Sequence, residues 1–146
     1  MHRPAPRRLS PAAACALIAL AAGTTAPAFA GDLTIVTNGL RSDRGEVLVA
    51  VCTEATFTKE TCAIRGRAAA GRPVLLADVP PGRYAVQAIH DENGDGDLNR
   101  RFFLPMEGIG FSRDAPMRRG PPRFEEAAVT VGADSEQLVL TMRYFQ

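Results

Sequence analysis

The sequence is poor in the residues that most enzyme chemistry requires. It has no tryptophan, two tyrosines, three cysteines, one lysine and two histidines. Since His2 lies in the leader described next, His90 is the one histidine left for the folded part, which excludes a zinc site built from several histidines. A catalytic triad would have to combine His90 with Ser42, Ser112 or Ser135, and none of these serines stands in a G-x-S-x-G motif. We therefore expect no catalytic residues.

Long hydrophobic runs are also missing. The longest, residues 12–22, is too short to span a bilayer. It follows Arg3, Arg7 and Arg8 and precedes Ala28-Phe29-Ala30, which together are typical of a signal peptide with a cleavage site. We predict a signal peptide over residues 1–30 and a single exported domain over residues 31–146, periplasmic or extracellular, without a membrane span. A lipoprotein signal centred on Cys15 is less favoured, because almost no apolar sequence precedes it.

The sequence also lacks a large excess of positive or negative charge. The leader carries three of the 17 basic residues and none of the 16 acidic ones, so 14 basic residues remain and the net charge becomes −2. Such a balance gives no basic face at the level of composition. We therefore expect no nucleic acid among the partners.

Two cysteines, Cys52 and Cys62, remain after the leader. In an oxidising compartment an even pair predicts a disulfide, and the spacing is too wide for a C-x-x-C redox motif. Two buried free thiols are the alternative.

Alternating apolar residues predict β-strands. The strands are expected at 33–38, 47–52, 74–79, 84–91, 127–131 and 137–145, with no convincing amphipathic helix. About six or seven short strands at close spacing favour an all-β, antiparallel β-sandwich. Residues 53–71 are expected to be irregular, and residues 100–126 to form a long connection that packs over one end of the sandwich, with Gly108 and Gly110 at a tight bend.

The segment 90–99, HDENGDGDLN, is the most informative part of the chain. It places oxygen-bearing side chains at alternate positions around two glycines, as in loops that bind Ca²⁺. An EF-hand loop would end in a bidentate glutamate, but Phe102 stands there, so Glu107 is the candidate that completes the shell. The predicted Ca²⁺ ligands are Asp91, Asn93, Asp95, Asp97, Asn99 and Glu107. The alternative is an acidic turn stabilised only by hydrogen bonds between side chains and backbone.

The long connection is rich in arginine and aromatic residues. Guanidinium groups suit planar anions, so one interpretation is a site for a carboxylate or an acidic sugar. Its candidate ligand-binding residues are Arg113, Arg118, Arg119, Phe111 and Phe124. The favoured alternative is that these arginines neutralise the acidic loop and Glu125-Glu126.

Three stretches resemble a known family: residues 80–99 (PPGRYAV running into HDENGDGDLN), MEGIGFSRDA at 106–115, and GPPRFEEAAVTV at 120–131. On these motifs the chain is similar to an uncharacterised bacterial secreted family, number 2141 among the domains of unknown function. The resemblance implies an immunoglobulin-like or prealbumin-like sandwich and no known activity. The chain departs from the family where Asn99 replaces an expected acid, and the cysteine pair resembles a subgroup feature.

These observations together predict an exported, non-enzymatic β-sandwich stabilised by Ca²⁺ that acts as a binding or envelope-associated module. Its partner would be an envelope protein or a glycan. The alternative is a carbohydrate- or small-anion-binding domain that uses residues 100–126. A hydrolase resembling the transthyretin-like ureide hydrolases fits the fold but lacks that group's histidines and C-terminal serine motif.

Overall fold

The computed structural model describes residues 29–59, 61–101 and 104–145. The predicted signal peptide therefore lies outside the described residues except for Phe29 and Ala30, which are exposed. Phe102, at the last position of the loop template, is also outside them. Across the described segments, no helix has the length and apolar character needed to cross a membrane.

Ten strands and two short helical segments follow one another along the described chain. The strands are β1 (Gly31–Asn38), β2 (Glu46–Cys52), β3 (Ile64–Ala69), β4 (Val74–Val79), β5 (Gly82–Asp91), β6 (Arg100–Arg101), β7 (Leu104–Pro105), β8 (Gly108–Phe111), β9 (Ala128–Val131) and β10 (Glu136–Thr141). A 3₁₀ turn covers Ser112–Asp114, and the helix α1 covers Phe124–Ala127.

The strands form two main sheets. One has the order β10-β1-β4, and the other has the order β3-β2-β5-β8, with β9 pairing the first half of β5. β6 and β7 form a separate two-stranded ribbon. The predicted all-β sandwich is confirmed, with one difference: β1 runs parallel to β10, so the smaller sheet is mixed.

The main core lies between the two sheets and is made by the alternation that the sequence shows. Leu33 and Ile35 of β1 and Val47, Val49 and Val51 of β2 are almost fully buried. They meet the inward residues of β4, β5 and β10, which include Leu76, Val86, Ala88 and Leu140. Each fully buried Val or Leu contributes about 1.5–3 kcal/mol relative to an exposed side chain, so this layer stabilises the sandwich.

Four strands were missed by the sequence prediction. The short β6 and β7 lie in the long connection, β3 lies in the stretch expected to be irregular, and β8 lies where Gly108 and Gly110 were expected to bend the chain. The expectations for β3 and β8 were wrong. The glycines serve close packing instead: a Cβ on Gly108 would lie 2.6 Å from the Tyr144 ring, and one on Gly110 would lie 2.9 Å from the carbonyl oxygen of Thr141.

The predicted disulfide is confirmed. Cys52, at the end of β2, bonds to Cys62 just before β3, with their Cα atoms 4.9 Å apart. The bridge closes a loop that also buries Phe57. In the chain-entropy account, closing 11 residues stabilises the fold by about 2.8 kcal/mol.

Candidate functional site

The acidic loop occupies residues 92–99, between β5 and β6. Gly94 and Gly96 have φ angles of 74° and 78°, a left-handed conformation that glycine adopts without steric cost. These two positions allow the chain to turn tightly around the carboxylate of Asp91.

The Asp91 carboxylate is the centre of this loop. The side chain is 1% exposed, and its Oδ1 and Oδ2 accept hydrogen bonds from the backbone N–H groups of Gly94 and Gly96, each at 2.7 Å. Two backbone donors satisfy the buried carboxyl group. Asp91 therefore fixes the loop conformation, whatever else it binds.

Three of the predicted ligands converge next to Asp91. Asp95 Oδ2 accepts from the amide nitrogens of Asn93 at 2.9 Å and Asn99 at 2.7 Å. The Asn99 hydrogen bond is the largest cause that lowers the pKa of Asp95, followed by the N–H of Asp97. Asp95 is therefore held as an anion among two carboxamides, which are groups that can also present oxygen.

The other two predicted ligands lie farther along. The exposed Asp97 accepts a hydrogen bond from the N–H of Leu98 at 3.0 Å, and the buried Glu107 accepts from the N–H of Asn99 at 3.1 Å. Glu107 is thus adjacent to the loop, at its final residue. Among the described residues, no three histidine, cysteine, aspartate or glutamate side chains gather as a metal-holding group.

Glu92 anchors the loop to a distant segment. It pairs with Arg41, whose Nε donates to Oε2 at 2.8 Å, and it accepts from the Ser42 hydroxyl at 2.6 Å. The Arg41 guanidinium and then the Ser42 hydroxyl lower the pKa of Glu92 to about 2. Sequence reasoning missed this contact, because the partners are 51 residues apart and no local pattern links them.

His90 is buried beneath this anchor. Its Nε2 lies 2.9 Å from the carbonyl oxygen of Arg44, so this nitrogen donates, and Nδ1 accepts from the Tyr144 hydroxyl at 2.6 Å. The Arg41 guanidinium lies over the Tyr144 ring at 4.6 Å. Both ring nitrogens of His90 are therefore used: Nε2 holds the end of β5 to the β1–β2 connection, and Nδ1 holds it to the C-terminal segment.

The arginines of the long connection mainly contact its own acids. Arg118 pairs with Glu126 at 3.0 Å, and Arg113 donates to the carbonyl oxygen of Glu125 at 3.1 Å. The pKa of Glu126 is lowered, chiefly by the N–H of Arg123 and also by Arg118. Arg119 is exposed. Arginines of the connection therefore pair with the Glu126 carboxylate, whereas the Glu125 carboxylate pairs with Arg83 of β5.

The predicted aromatic ligand residues are core residues of a second cluster. Phe111 is 3% exposed and Phe124 is 9% exposed. Both rings pack edge-on against Phe57, with centroids 6.0 Å apart. Phe124 therefore covers the outer face of the larger sheet at its disulfide end instead of presenting a ring to solvent.

The rest of this outer face forms a groove of about 780 Å³. Strand register places its floor in two transverse rows. One row contains Arg67, Leu48, Ile89 and Ile109, and the other contains Arg65, Ala50, Gln87 and Phe111. Alternate residues of a strand share a face, so the two rows lie side by side across four strands.

The ends of the groove come from two loops. Thr58 and Lys59 of the disulfide loop lie at one end, and Gly96, Asp97 and Leu98 of the acidic loop lie at the other. The acidic loop is therefore a wall of the groove.

The long connection contributes Arg100, Ile109, Phe111 and Pro121 to the groove. Of the five candidate ligand-binding residues from this connection, Phe111 alone is among the described residues that line it. The alternation of Arg65 and Arg67 was the sequence signal that could have found the site, but these residues fell in the stretch interpreted as irregular.

Comparison with known proteins places the chain in a family. Neither the curated proteins nor the solved structures give a match. The family model described as an uncharacterized protein conserved in bacteria, DUF2141, matches residues 35–139, from β1 into β10. The stretches identified from sequence, which run from residue 80 to residue 131, lie within this range, and the chain belongs to the DUF2141 family.

Proposed function

We propose that this protein is an exported, non-enzymatic binding module whose ligand lies in the groove on the outer face of the larger sheet. The groove is the observation that carries this proposal. Its volume of about 780 Å³ lies within the range of about 300–1,000 Å³ that is usual for ligand sites. Its floor combines aliphatic side chains with a few polar ones, which is the usual composition of such sites.

The placement of the potential catalytic groups supports binding over catalysis. His90 is fully buried with both nitrogens bonded, and Ser112 is buried with its hydroxyl between the N–H of Val86 and the carbonyl of Ala127. Neither residue is among those that line the groove. Both side chains therefore hold the sandwich together.

A tryptophan reporter tests the proposal, because the chain has no tryptophan of its own. Leu48→Trp places the reporter on the groove floor. Leu75→Trp is the matched control, since Leu75 is 75% exposed on β4 of the other sheet. We expect at least one of maltotriose, oligogalacturonate, dodecanoate and tetraglutamate to change the emission of Leu48→Trp saturably and to leave Leu75→Trp unchanged.

The proposal fails if no ligand in this panel changes the emission of Leu48→Trp and calorimetry on the unaltered protein shows no heat of binding. It also fails if the two reporters respond equally, because the response would then not come from the groove.

We further propose that the acidic loop binds Ca²⁺ and that the ion rigidifies this wall of the groove. The convergence of three side chains supports this proposal: the side-chain amides of Asn93 and Asn99 both donate to Asp95, at 2.9 Å and 2.7 Å. Carboxylate and carboxamide oxygens are the ligands that Ca²⁺ prefers. The buried Glu107 next to Asn99 supplies a further carboxylate close to the loop.

Thermal melts in Ca²⁺ and in EDTA test this second proposal. At a free Ca²⁺ concentration of about 100 Kd, the bound ion adds about 2.7 kcal/mol to the unfolding free energy. We expect a higher melting temperature in Ca²⁺ and the loss of this increase in Asp95→Asn, whereas Asp134→Asn, an exposed acid between β9 and β10, retains it. Identical melting temperatures in Ca²⁺ and in EDTA would refute Ca²⁺ binding. The groove proposal would be unaffected.

A further inference from the structure

Gln87 is a polar residue in the middle of an otherwise apolar part of the groove floor. Strand pairing places Ala50 on one side of it and Phe111 on the other, and Ile89 follows two residues along β5 on the same face. Gln87 lines the groove and is partly exposed. Within the part of the chain that the structure describes, its side chain makes no hydrogen bond. The carboxamide therefore offers two N–H donors and one oxygen acceptor to a ligand.

A ligand that covers this floor displaces the water around the Gln87 carboxamide. Burying an amide without a partner is unfavourable, so the ligand must both donate and accept a hydrogen bond at this place. An alkyl chain does neither. In an extended peptide the N–H and C=O of one residue point to the same side, so one carboxamide can bond to both. The chemistry of Gln87 therefore favours a peptide backbone.

The row beside Gln87 is aliphatic. Leu48 and Ile89 are partly exposed at its centre, and Ile109 continues it. Phe111 is the one aromatic residue among the described residues that line the groove, and it is 3% exposed. Ligands held by stacking need an accessible ring. The floor therefore suits aliphatic side chains better than a sugar ring or a nucleobase.

Three basic side chains at the rim of the groove already have partners. Lys59 donates from Nζ to the carbonyl oxygen of Ala55 at 2.7 Å, and the Arg67 guanidinium lies 3.5 Å from Glu46. Arg65 donates from Nε to a backbone carbonyl oxygen at 2.9 Å. A ligand without negative charge leaves all of these contacts intact.

Building on the proposed function, we infer that the ligand is an extended, uncharged peptide segment with aliphatic side chains. The N–H and C=O of one of its residues bond to the Gln87 carboxamide, and its side chains contact the row of Leu48, Ile89 and Ile109. The floor spans four strands, or about 14 Å from the first to the last at about 4.8 Å between neighbours. About four extended residues cover this length at about 3.3 Å for each residue.

Calorimetry on the purified protein tests the inference with a matched pair of probes. One is the capped tetrapeptide acetyl-Leu-Ala-Leu-Ala-amide, and the other is its depsipeptide, in which an oxygen atom replaces each backbone N–H. We expect the peptide to bind at least about tenfold more tightly, the difference that loss of a hydrogen bond to Gln87 produces. Tetraglutamate has the same backbone with charged side chains, and it should bind more weakly than the aliphatic peptide.

Two variants locate the contact. Gln87→Leu should lose about tenfold or more in affinity for the peptide and should keep its affinity for the depsipeptide, because the ester has no N–H to lose. Gln137→Leu is the matched control, since it makes the same change at an exposed position of β10 in the other sheet. This control should bind both probes as the unaltered protein does.

The other outcomes overturn the inference. Equal affinities for the peptide and the depsipeptide exclude recognition of the backbone amide. Equal peptide affinities of Gln87→Leu and Gln137→Leu show that Gln87 does not contact the ligand. If dodecanoate or maltotriose binds more tightly than the peptide, the ligand belongs to another class and the proposed function stands. If no probe binds and the Leu48→Trp reporter is also unresponsive, both the inference and the proposed function fail.

Discussion

Because Glu92 is paired with Arg41, we expect the free energy of unfolding to decrease as the pH falls into the acid range. Glu92 has a pKa of about 2 in the folded protein, against an ordinary value of 4.5, because Arg41 and Ser42 bond its charged form. A carboxyl group with a lowered pKa stabilises the fold fully above its unfolded value. This stabilisation is lost as the pH falls from about 4.5 toward 2.

The magnitude follows from the shift and from the exposure of the pair. A change from 4.5 to about 2 corresponds to about 3.4 kcal/mol at about 1.36 kcal/mol for each pKa unit. The Glu92 side chain is 9% exposed, but that of Arg41 is 35% exposed. Solvent screening at Arg41 reduces the contribution to about 1.5 kcal/mol. Glu92→Gln should therefore lower the unfolding free energy at neutral pH by about 1.5 kcal/mol.

Urea denaturation followed by far-ultraviolet circular dichroism measures this at pH 7, 4.5 and 3. The unaltered protein should lose stability across the acid range, and Glu92→Gln should lose less because the titrating group is gone. Glu46→Gln is the matched control, since Glu46 pairs with Arg67 at 3.5 Å in an exposed position. The reasoning is refuted if the two variants lose the same stability at pH 7, or if Glu92→Gln is as sensitive to acid as the unaltered protein.

Three further changes test the packing of the sandwich by the same assay. Replacing Cys52 and Cys62 together by alanine should cost about 2.8 kcal/mol, and an unchanged urea midpoint would show that the bridge does not constrain the unfolded chain. Phe57→Ala removes the ring between two others and should cost about 3–4 kcal/mol, whereas a loss below about 1 kcal/mol would place that ring outside the core. Gly108→Ala brings a Cβ within 2.6 Å of the Tyr144 ring and should cost about 1–3 kcal/mol; full stability would mean that the ring moves freely.

Much of the fold could be predicted because alternation was strong. Leu33 and Ile35, and the three valines of β2, follow the period of a strand, and their burial agrees with it. β3 was missed because its inward positions are Ile64, Gly66 and Ala68, of which two are too small to mark a hydrophobic face. Its outward residues Arg65 and Arg67 also alternate, but polar residues of this kind were interpreted as part of an irregular stretch. A glycine packed under a ring has the same sequence signal as one in a turn, so β8 was missed too.

The candidate site was less predictable, because it depends on pairing between strands that are distant in sequence. The acidic loop was found from its spacing, and the structure places Asp91, Asp95 and Asn99 in one bonded turn. The groove floor instead requires the register that sets Leu48 opposite both Arg67 and Ile89. No local pattern contains that register. Phe111 and Phe124 were predicted to contact a ligand. Because both side chains are strongly apolar, they are buried in the second hydrophobic cluster.

The parallel pairing of β1 with β10 determines when the molecule can finish folding. β1 is the central strand of the smaller sheet, and its partner Glu136–Thr141 is made long after it. Bringing together segments that are about a hundred residues apart carries a large loop-closure entropy, and a high contact order slows folding. A ribosome-bound or truncated chain that ends before β10 would therefore leave one edge of β1 without its hydrogen-bonding partner. Until β10 has been made, the nascent polypeptide should stay open to proteases and chaperones.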